Sequence, residues 1–285
     1  MIVIHHNDLD GECAAAIANR WSSENLAREG GSEAVTFIEM DYKKPSPIDQ
    51  IPEGEMVVIL DFSFQPEDMK KILKKTENVV WCDHHATAQA FGYDLPGERD
   101  FSPKGLSGCE LAWKYFFPGA PTPEAVVLLG DYDAWRLNRA PISLQFNEGM
   151  KMEDHRPQSQ IWDSLFRGST KINDIVGNGR IAIAYRDAYC KALREHHSYE
   201  TVLDGKTACV LNVAEFGSAA FGDQLQAYPM CIAFIYDGDQ YTVSLYSETI
   251  DVSVIAKKHG GGGHKGASGF VCDKLPFKPV GEGGK

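Results

Sequence analysis

Three short apolar runs in the first third of the chain stop abruptly at acidic or imidazole side chains. Ile2-Val3-Ile4 leads into His6-Asn7-Asp8-Leu9-Asp10-Gly11, Met56-Val57-Val58-Ile59-Leu60 ends at Asp61, and Val79-Val80-Trp81-Cys82 ends at Asp83-His84-His85. Runs this short and this continuously apolar read as strands buried on both faces. Helical segments lie between them. Residues 12–24 place Cys13, Ala16, Ile17 and Trp21 on one side, and Pro66 with Glu67 and Asp68 marks the start of a helix reaching about Lys75. Residues 35–40 supply a further strand, and a Gly30-Gly31 break is expected to end the first helix. The alternation predicts an α/β fold with a parallel sheet covered by helices on both faces. Parallel strands bring their carboxyl ends to one edge, where such sheets bind ligands, so the three polar clusters are expected to converge.

Residues 86–105 read as loop. Ser107-Gly108-Cys109-Glu110 opens an aromatic-rich helix, and helix capping accounts for Ser107 more simply than phosphate binding does. Pro121-Thr122-Pro123-Glu124 opens another helix that ends at Gly130-Asp131-Tyr132-Asp133-Ala134-Trp135. Residues 140–170 look irregular with helical patches, and a long helix over about 172–196 leads to strands at 207–213, 230–236 and 240–246, with Asp237-Gly238 as a hairpin turn. The expected organisation is a parallel-sheet domain over residues 1–140, a helical linker over 141–200 and a smaller second domain over 201–285.

The formal net charge of −12 and pI near 5.2 argue against a footprint for long duplex nucleic acid, which requires a basic face. Seven cysteines, an odd number with no C-x-x-C pair, fit a reducing compartment. No leader-like segment or membrane-length apolar window is evident, so a cytoplasmic location with no membrane partner is expected.

Taken singly, each polar cluster has an ordinary explanation: Asp8 or Asp10 caps a helix, Asp61 ends a strand, and Asp83-His84-His85 forms a turn. Taken together, they offer carboxylates and imidazoles from three strand ends, a set suited to two divalent cations. Two ions ~3.5–4 Å apart, sharing a carboxylate and activating a water, are a recurring device for phosphoester cleavage.

The order H-x-D-x-D-G, strand-Asp, Asp-His-His, Gly-Asp and Gly-Gly-Gly-His resembles the DHH phosphoesterase superfamily. Gly261-Gly262-Gly263-His264-Lys265-Gly266-Ala267-Ser268-Gly269 is similar to the signature of its DHHA1 domain. Within the superfamily, His6-Asn7-Asp8-Leu9-Asp10-Gly11 and Gly130-Asp131-Tyr132-Asp133-Ala134-Trp135 look nearest to oligoribonucleases of the nanoRNase B type. The resemblance implies a parallel-sheet DHH domain joined by a helical linker to a DHHA1 domain. It implies that His6 and Asp8 hold one metal, that Asp10, His84 and Asp131 hold a second, and that Asp61 bridges the two. Asp133 is also available in the fourth motif, but Asp131, directly after the glycine, is preferred. His85 would contact the scissile phosphate and Asp83 would orient an imidazole. Gly261, Gly262, Gly263, His264 and Lys265 would bind substrate, the glycines letting the backbone approach an anion.

The implied cofactor is a pair of Mn²⁺ ions, with Mg²⁺ or Co²⁺ as substitutes. The implied activity is hydrolysis of short oligoribonucleotides to mononucleotides. Polyphosphate, linear or cyclic dinucleotides and nucleoside bisphosphates are the alternative substrates, and a non-catalytic binding module is a third reading. A homodimer is compatible with the resemblance. One departure stands out: Ser244-Leu245-Tyr246-Ser247 carries Tyr246 where the family often has arginine, and tyrosine offers no guanidinium fork for a phosphate.

Overall fold

The apolar runs become strands and the polar clusters become the turns that follow them. The computed structural model describes residues 1–29 and 34–281, so the Gly30-Gly31 break lies outside the described residues. Two units are present, residues 1–182 and 183–285.

In the first unit, β1 (Ile2–His6), β2 (Thr36–Met40), β3 (Val57–Leu60) and β4 (Val79–Cys82) form a parallel sheet in the order β2-β1-β3-β4. The chain runs from β1 to β2 on one side and then crosses to β3 on the other. The strand order therefore reverses between β1 and β3, the point at which open parallel sheets form a crevice at their carboxyl ends.

Helix α1 (Leu9–Glu29) packs on one face of the sheet, and its small residues from Cys13 to Ala18 are buried. Gly11 is required for its approach, because a Cβ there would lie 2.4 Å from the His6 carbonyl oxygen. The same core takes in α3 (Gly108–Phe116), α4 (Glu124–Asp133), α5 (Ile142–Met150), α6 (Gln160–Phe166) and the start of α7 (Lys171–His197). Residues 142–166 are more regular than their sequence suggests, since α5 and α6 bury Phe146, Met150, Trp162 and Leu165 in that core.

The opposite face is covered by α2 (Pro66–Lys75) and by residues 86–101, which include a 3₁₀ turn over Ala86–Phe91. In α2, proline and acidic residues occupy the first turn and Lys74 and Lys75 the last, matching the helix dipole. Its buried Met69 and Ile72 each contribute roughly 1.5–3 kcal/mol. The outer side of β4 is occupied by the segment around Gly97: Trp81 N donates to Pro96 O at 2.8 Å, Asp83 N donates to Glu98 O at 3.2 Å, and the Arg99 guanidinium sits 5.1 Å from the Trp81 ring.

The second unit is a six-stranded mixed sheet in the order β5-β6-β7-β8-β10-β9, built from β5 (Tyr199–Leu203), β6 (Lys206–Asn212), β7 (Met230–Tyr236), β8 (Tyr241–Tyr246), β9 (Gly262–Gly263) and β10 (Ala267–Cys272). Only β6 and β7 run parallel. Helix α9 (Val252–Lys258) packs on one face, and the short α8 (Gln224–Ala227) sits beside β7. The expected α/β class, a helix-covered parallel sheet followed by a smaller α/β unit, is what forms.

All seven cysteines are free, and all but Cys272 are buried. Among the described residues, no helix is long and apolar enough to cross a membrane.

Candidate metal centre

The three strand-end clusters meet. His6 Nδ1 lies 2.6 Å from Asp8 Oδ2 and 3.7 Å from Asp61 Oδ2, and His84 Nε2 lies 3.1 Å from Asp61 Oδ1 and 3.2 Å from Asp133 Oδ2. Potential ligand atoms fall into three groups, each within 4.8 Å: His6, Asp8 and Asp61; Asp61, His84 and His85; and Asp10, His84 and Asp133. Asp61 belongs to two of these groups, and so does His84.

Asp61 follows β3 in a left-handed conformation, φ 53°, which is uncommon for residues other than glycine, although aspartate tolerates it. Its carboxylate is 1% exposed, and neither oxygen has a hydrogen-bond partner among the described residues. A buried carboxylate without hydrogen bonds is costly unless a proton or cation compensates it. With nitrogen and oxygen donors on several sides, the site fits one or two divalent ions.

The neighbouring carboxylates are held more firmly. Asp8 caps α1, its Oδ1 accepting Gly11 N at 2.9 Å while Oδ2 faces His6, so cap and candidate ligand are the same residue. Asp10 accepts Ser107 Oγ at 2.7 Å and Cys109 N at 3.2 Å, at the start of α3. Ser107 is also the cap of that helix, Glu110 Oε2 accepting its N–H at 3.0 Å. Gly108 permits the approach, because a Cβ would lie 2.5 Å from Asp61 Cβ and 2.8 Å from Asp10 Oδ2. Asp83 is fully buried and accepts His85 Nδ1 at 2.7 Å, His84 N at 2.8 Å and a short bond from Ser63 Oγ. Burial opposes the charge of His85, but Asp83 overrides it and raises the imidazole above its ordinary value.

One preference from the sequence is corrected. Asp131 does not join the cluster: its Oδ1 accepts Asn138 N and its Oδ2 accepts Arg139 N, both at 2.9 Å. Asp133 reaches Asp10 and His84 instead. Helix α4 extends to Asp133, and residues two apart on a helix point to different sides.

Sequence reasoning also missed a pair across the chain: the carboxylate of buried Glu12 makes a short hydrogen bond with His155 Nδ1. No local pattern links residues 143 positions apart.

In the second unit, the glycine run forms an edge hairpin. Gly262 and Gly263 pair with Gly269 and Ser268, Gly261 N donates to Ala256 O, and His264 N donates to Ala267 O. The N–H groups of Gly261 and His264 are thus engaged internally, while the His264 and Lys265 side chains are exposed. Tyr246, at the end of β8, packs 6.0 Å from the Phe221 ring.

The solved structures with this architecture include the DHH domain of a member of a family of ribosomal proteins, at TM-score 0.61 and 13% identity, covering 95% of this chain and 82% of that one. The fold is that of the DHH proteins. A pGpG-specific phosphodiesterase, PggH from Vibrio cholerae, matches the DHH fold at TM-score 0.55 and 13% identity over 95% of this chain and 93% of that one. Exonuclease RecJ bound to manganese matches at 0.50 and 18% over 95% and 85%. Among curated sequences, an uncharacterized protein of Acanthamoeba polyphaga mimivirus is 26% identical over 238 residues, 79% of this chain; the match spans 56% of the viral protein's length. No protein-family model matches the chain.

The electrostatics of this carboxylate cluster make the stability of the fold depend on pH. Burial, then the charges of Asp10 and Asp8, push the Asp133 carboxyl up to about 9, and Asp61 is raised by the same causes. For Asp8, burial acts upward, but the hydrogen bond and charge of His6 and the Gly11 N–H outweigh it and hold it at about 2. Folded Asp61 and Asp133 keep protons that the unfolded chain releases near pH ~4, so their contribution to stability is lost as pH rises from ~4 toward ~9. Asp8 acts in the opposite sense only below that window. The melting temperature of chelator-treated protein is expected to fall by on the order of 5 °C between about pH 5 and about pH 8.5. Saturating Mn²⁺ should remove most of the fall, and thermal melts with and without the ion check this.

Proposed function

We propose that the chain is a divalent-metal-dependent phosphodiesterase that trims short oligoribonucleotides to mononucleotides. The observation that carries the reading is Asp61, a buried carboxylate without hydrogen-bond partners among the described residues, flanked by imidazoles and three further carboxylates. His6, Asp8 and Asp61 are proposed to hold one ion, and Asp10, His84, Asp133 and Asp61 a second. Manganese is the proposed ion; the nitrogen and oxygen donors also suit Mg²⁺ or Co²⁺. When bound, such ions neutralise phosphate oxygens and acidify a water.

The chain's own residues supply the rest. Asp83 fixes the His85 ring and favours its protonated form, so His85 is placed to donate a hydrogen bond to a phosphate oxygen. Ser107 and the Cys109 N–H hold Asp10 in orientation. His264 and Lys265 are retained as proposed substrate contacts because they are exposed donors, and the seven free cysteines favour a cytoplasmic setting. The nucleotide and nucleic-acid activities named for two proteins of the same fold support a nucleotide substrate.

The test is substrate profiling with Mn²⁺. A diribonucleotide should be converted to mononucleotides, while linear polyphosphate and cyclic dinucleotides are consumed at least about tenfold more slowly, a difference of roughly 1.4 kcal/mol in barrier. Survival of the diribonucleotide alongside consumption of polyphosphate would replace this reading with the polyphosphatase one.

A further inference from the structure

Next to the carboxylate cluster, and sharing Asp8, Asp10 and Asp133 with it, the first unit holds a cavity of about 340 Å³. Small-molecule sites span roughly 300–1,000 Å³ and combine apolar walls with a few placed polar groups. Here Leu9 and Leu129 supply apolar surface, and Asn7, Tyr132 and Asn147 supply uncharged hydrogen-bonding groups. Asn147, on α5, is 5% exposed, and its carboxamide has no hydrogen-bond partner among the described residues. The carboxamide is open to the cavity, where a ligand can pair with it.

Two basic side chains also line the cavity, and both are compensated. Lys151 Nζ lies 2.7 Å from Glu148 Oε2, and His155 is hydrogen-bonded to Glu12. The wall facing three aspartates therefore offers no uncompensated cation, and a second phosphate group would enter it unneutralised. A flat, uncharged heteroaromatic ring fits better: its faces meet the leucines, and its edge meets carboxamides that both donate and accept.

We infer that this cavity is a nucleobase subsite, with Asn147 reading the edge of the base next to the phosphate held at the carboxylate cluster. The inference rests on the phosphodiesterase reading of that cluster and deepens it, favouring a nucleotide chain over polyphosphate.

Nucleoside binding to chelator-treated protein tests it without hydrolysis. Adenosine, guanosine, cytidine and uridine are titrated separately and followed by saturation-transfer NMR. At least one should bind, and Asn147→Ala and Asn7→Ala should each weaken that binding by about tenfold, the scale of one or two lost hydrogen bonds. Asn7 is exposed, so its variant keeps the test decisive even if the Asn147 variant fails to fold. Absence of binding by all four nucleosides overturns the inference. So does undiminished nucleoside binding by both asparagine variants, which would place the base outside this cavity. Nucleoside binding by a protein that hydrolyses no phosphodiester would leave the subsite standing and remove the phosphodiesterase reading instead.

Discussion

Asp61→Asn is expected to lower metal-dependent phosphodiester hydrolysis by about a thousandfold or more, equivalent to roughly 4 kcal/mol of barrier. The same change should raise the melting temperature of the chelated protein. Asp61 is the one carboxylate of the cluster whose two oxygens are both buried and without a hydrogen bond among the described residues, and it lies between the group around His6 and the groups around His84. Removing its charge deprives two cation positions of a shared ligand. It also relieves the chelated fold of a group that burial and the neighbouring aspartates already force toward its protonated form. The amide keeps the side chain's shape, so the effects are electrostatic rather than steric. Activity assays with Mn²⁺, paired with melts in chelator at about pH 8, read both. A variant that keeps its activity, or that melts lower without metal, contradicts the placement of Asp61 at the centre of the site.

Asp131→Ala and Asp133→Ala are expected to separate folding from chemistry. Asp131 receives two backbone N–H groups from the loop after α4, and it is 2% exposed. Its loss leaves those donors without a charged acceptor and should cost about 2–4 kcal/mol of stability, with metal content per chain unchanged. Asp133→Ala should reverse the pattern. It removes a carboxylate that burial and Asp10 hold near 9, so the chelated protein at neutral pH should become more stable, while activity falls by about a hundredfold and Mn²⁺ binding weakens. Denaturant melts and elemental analysis of the two variants decide the matter. Metal loss in Asp131→Ala with none in Asp133→Ala would reinstate Asp131 as the ligand.

The sheet and its polar rim were legible because their signals are local. Ile2-Val3-Ile4, Val57–Leu60 and Val79–Cys82 are continuous apolar runs, and each hands over directly to a polar cluster. Parallel pairing then brings those clusters together without further information. The choice between Asp131 and Asp133 was not legible, since it turns on where α4 ends, and that depends on the core its residues pack into. Residues 142–166 were obscured for a related reason. Phe146 and Trp162 hold two short helices in the shared core, chiefly against α4, not through a long amphipathic repeat. The pairing of Glu12 with His155 and the strand character of Gly262–Gly263 are purely tertiary, the latter existing only because Ser268 and Gly269 lie opposite.

The hydrogen-bonded segment along the outer side of β4 has a consequence for solution behaviour. A parallel sheet ending in a bare apolar strand would offer its unused amides to any extended peptide, the starting point for runaway polymerisation. Here the chain has laid its own residues 96–99 along that flank, with Gly97 so close that a methyl group there would collide with the Trp81 carbonyl. Foreign strands find that margin already taken, and a proteolytic cut through residues 95–99 would reopen it to them.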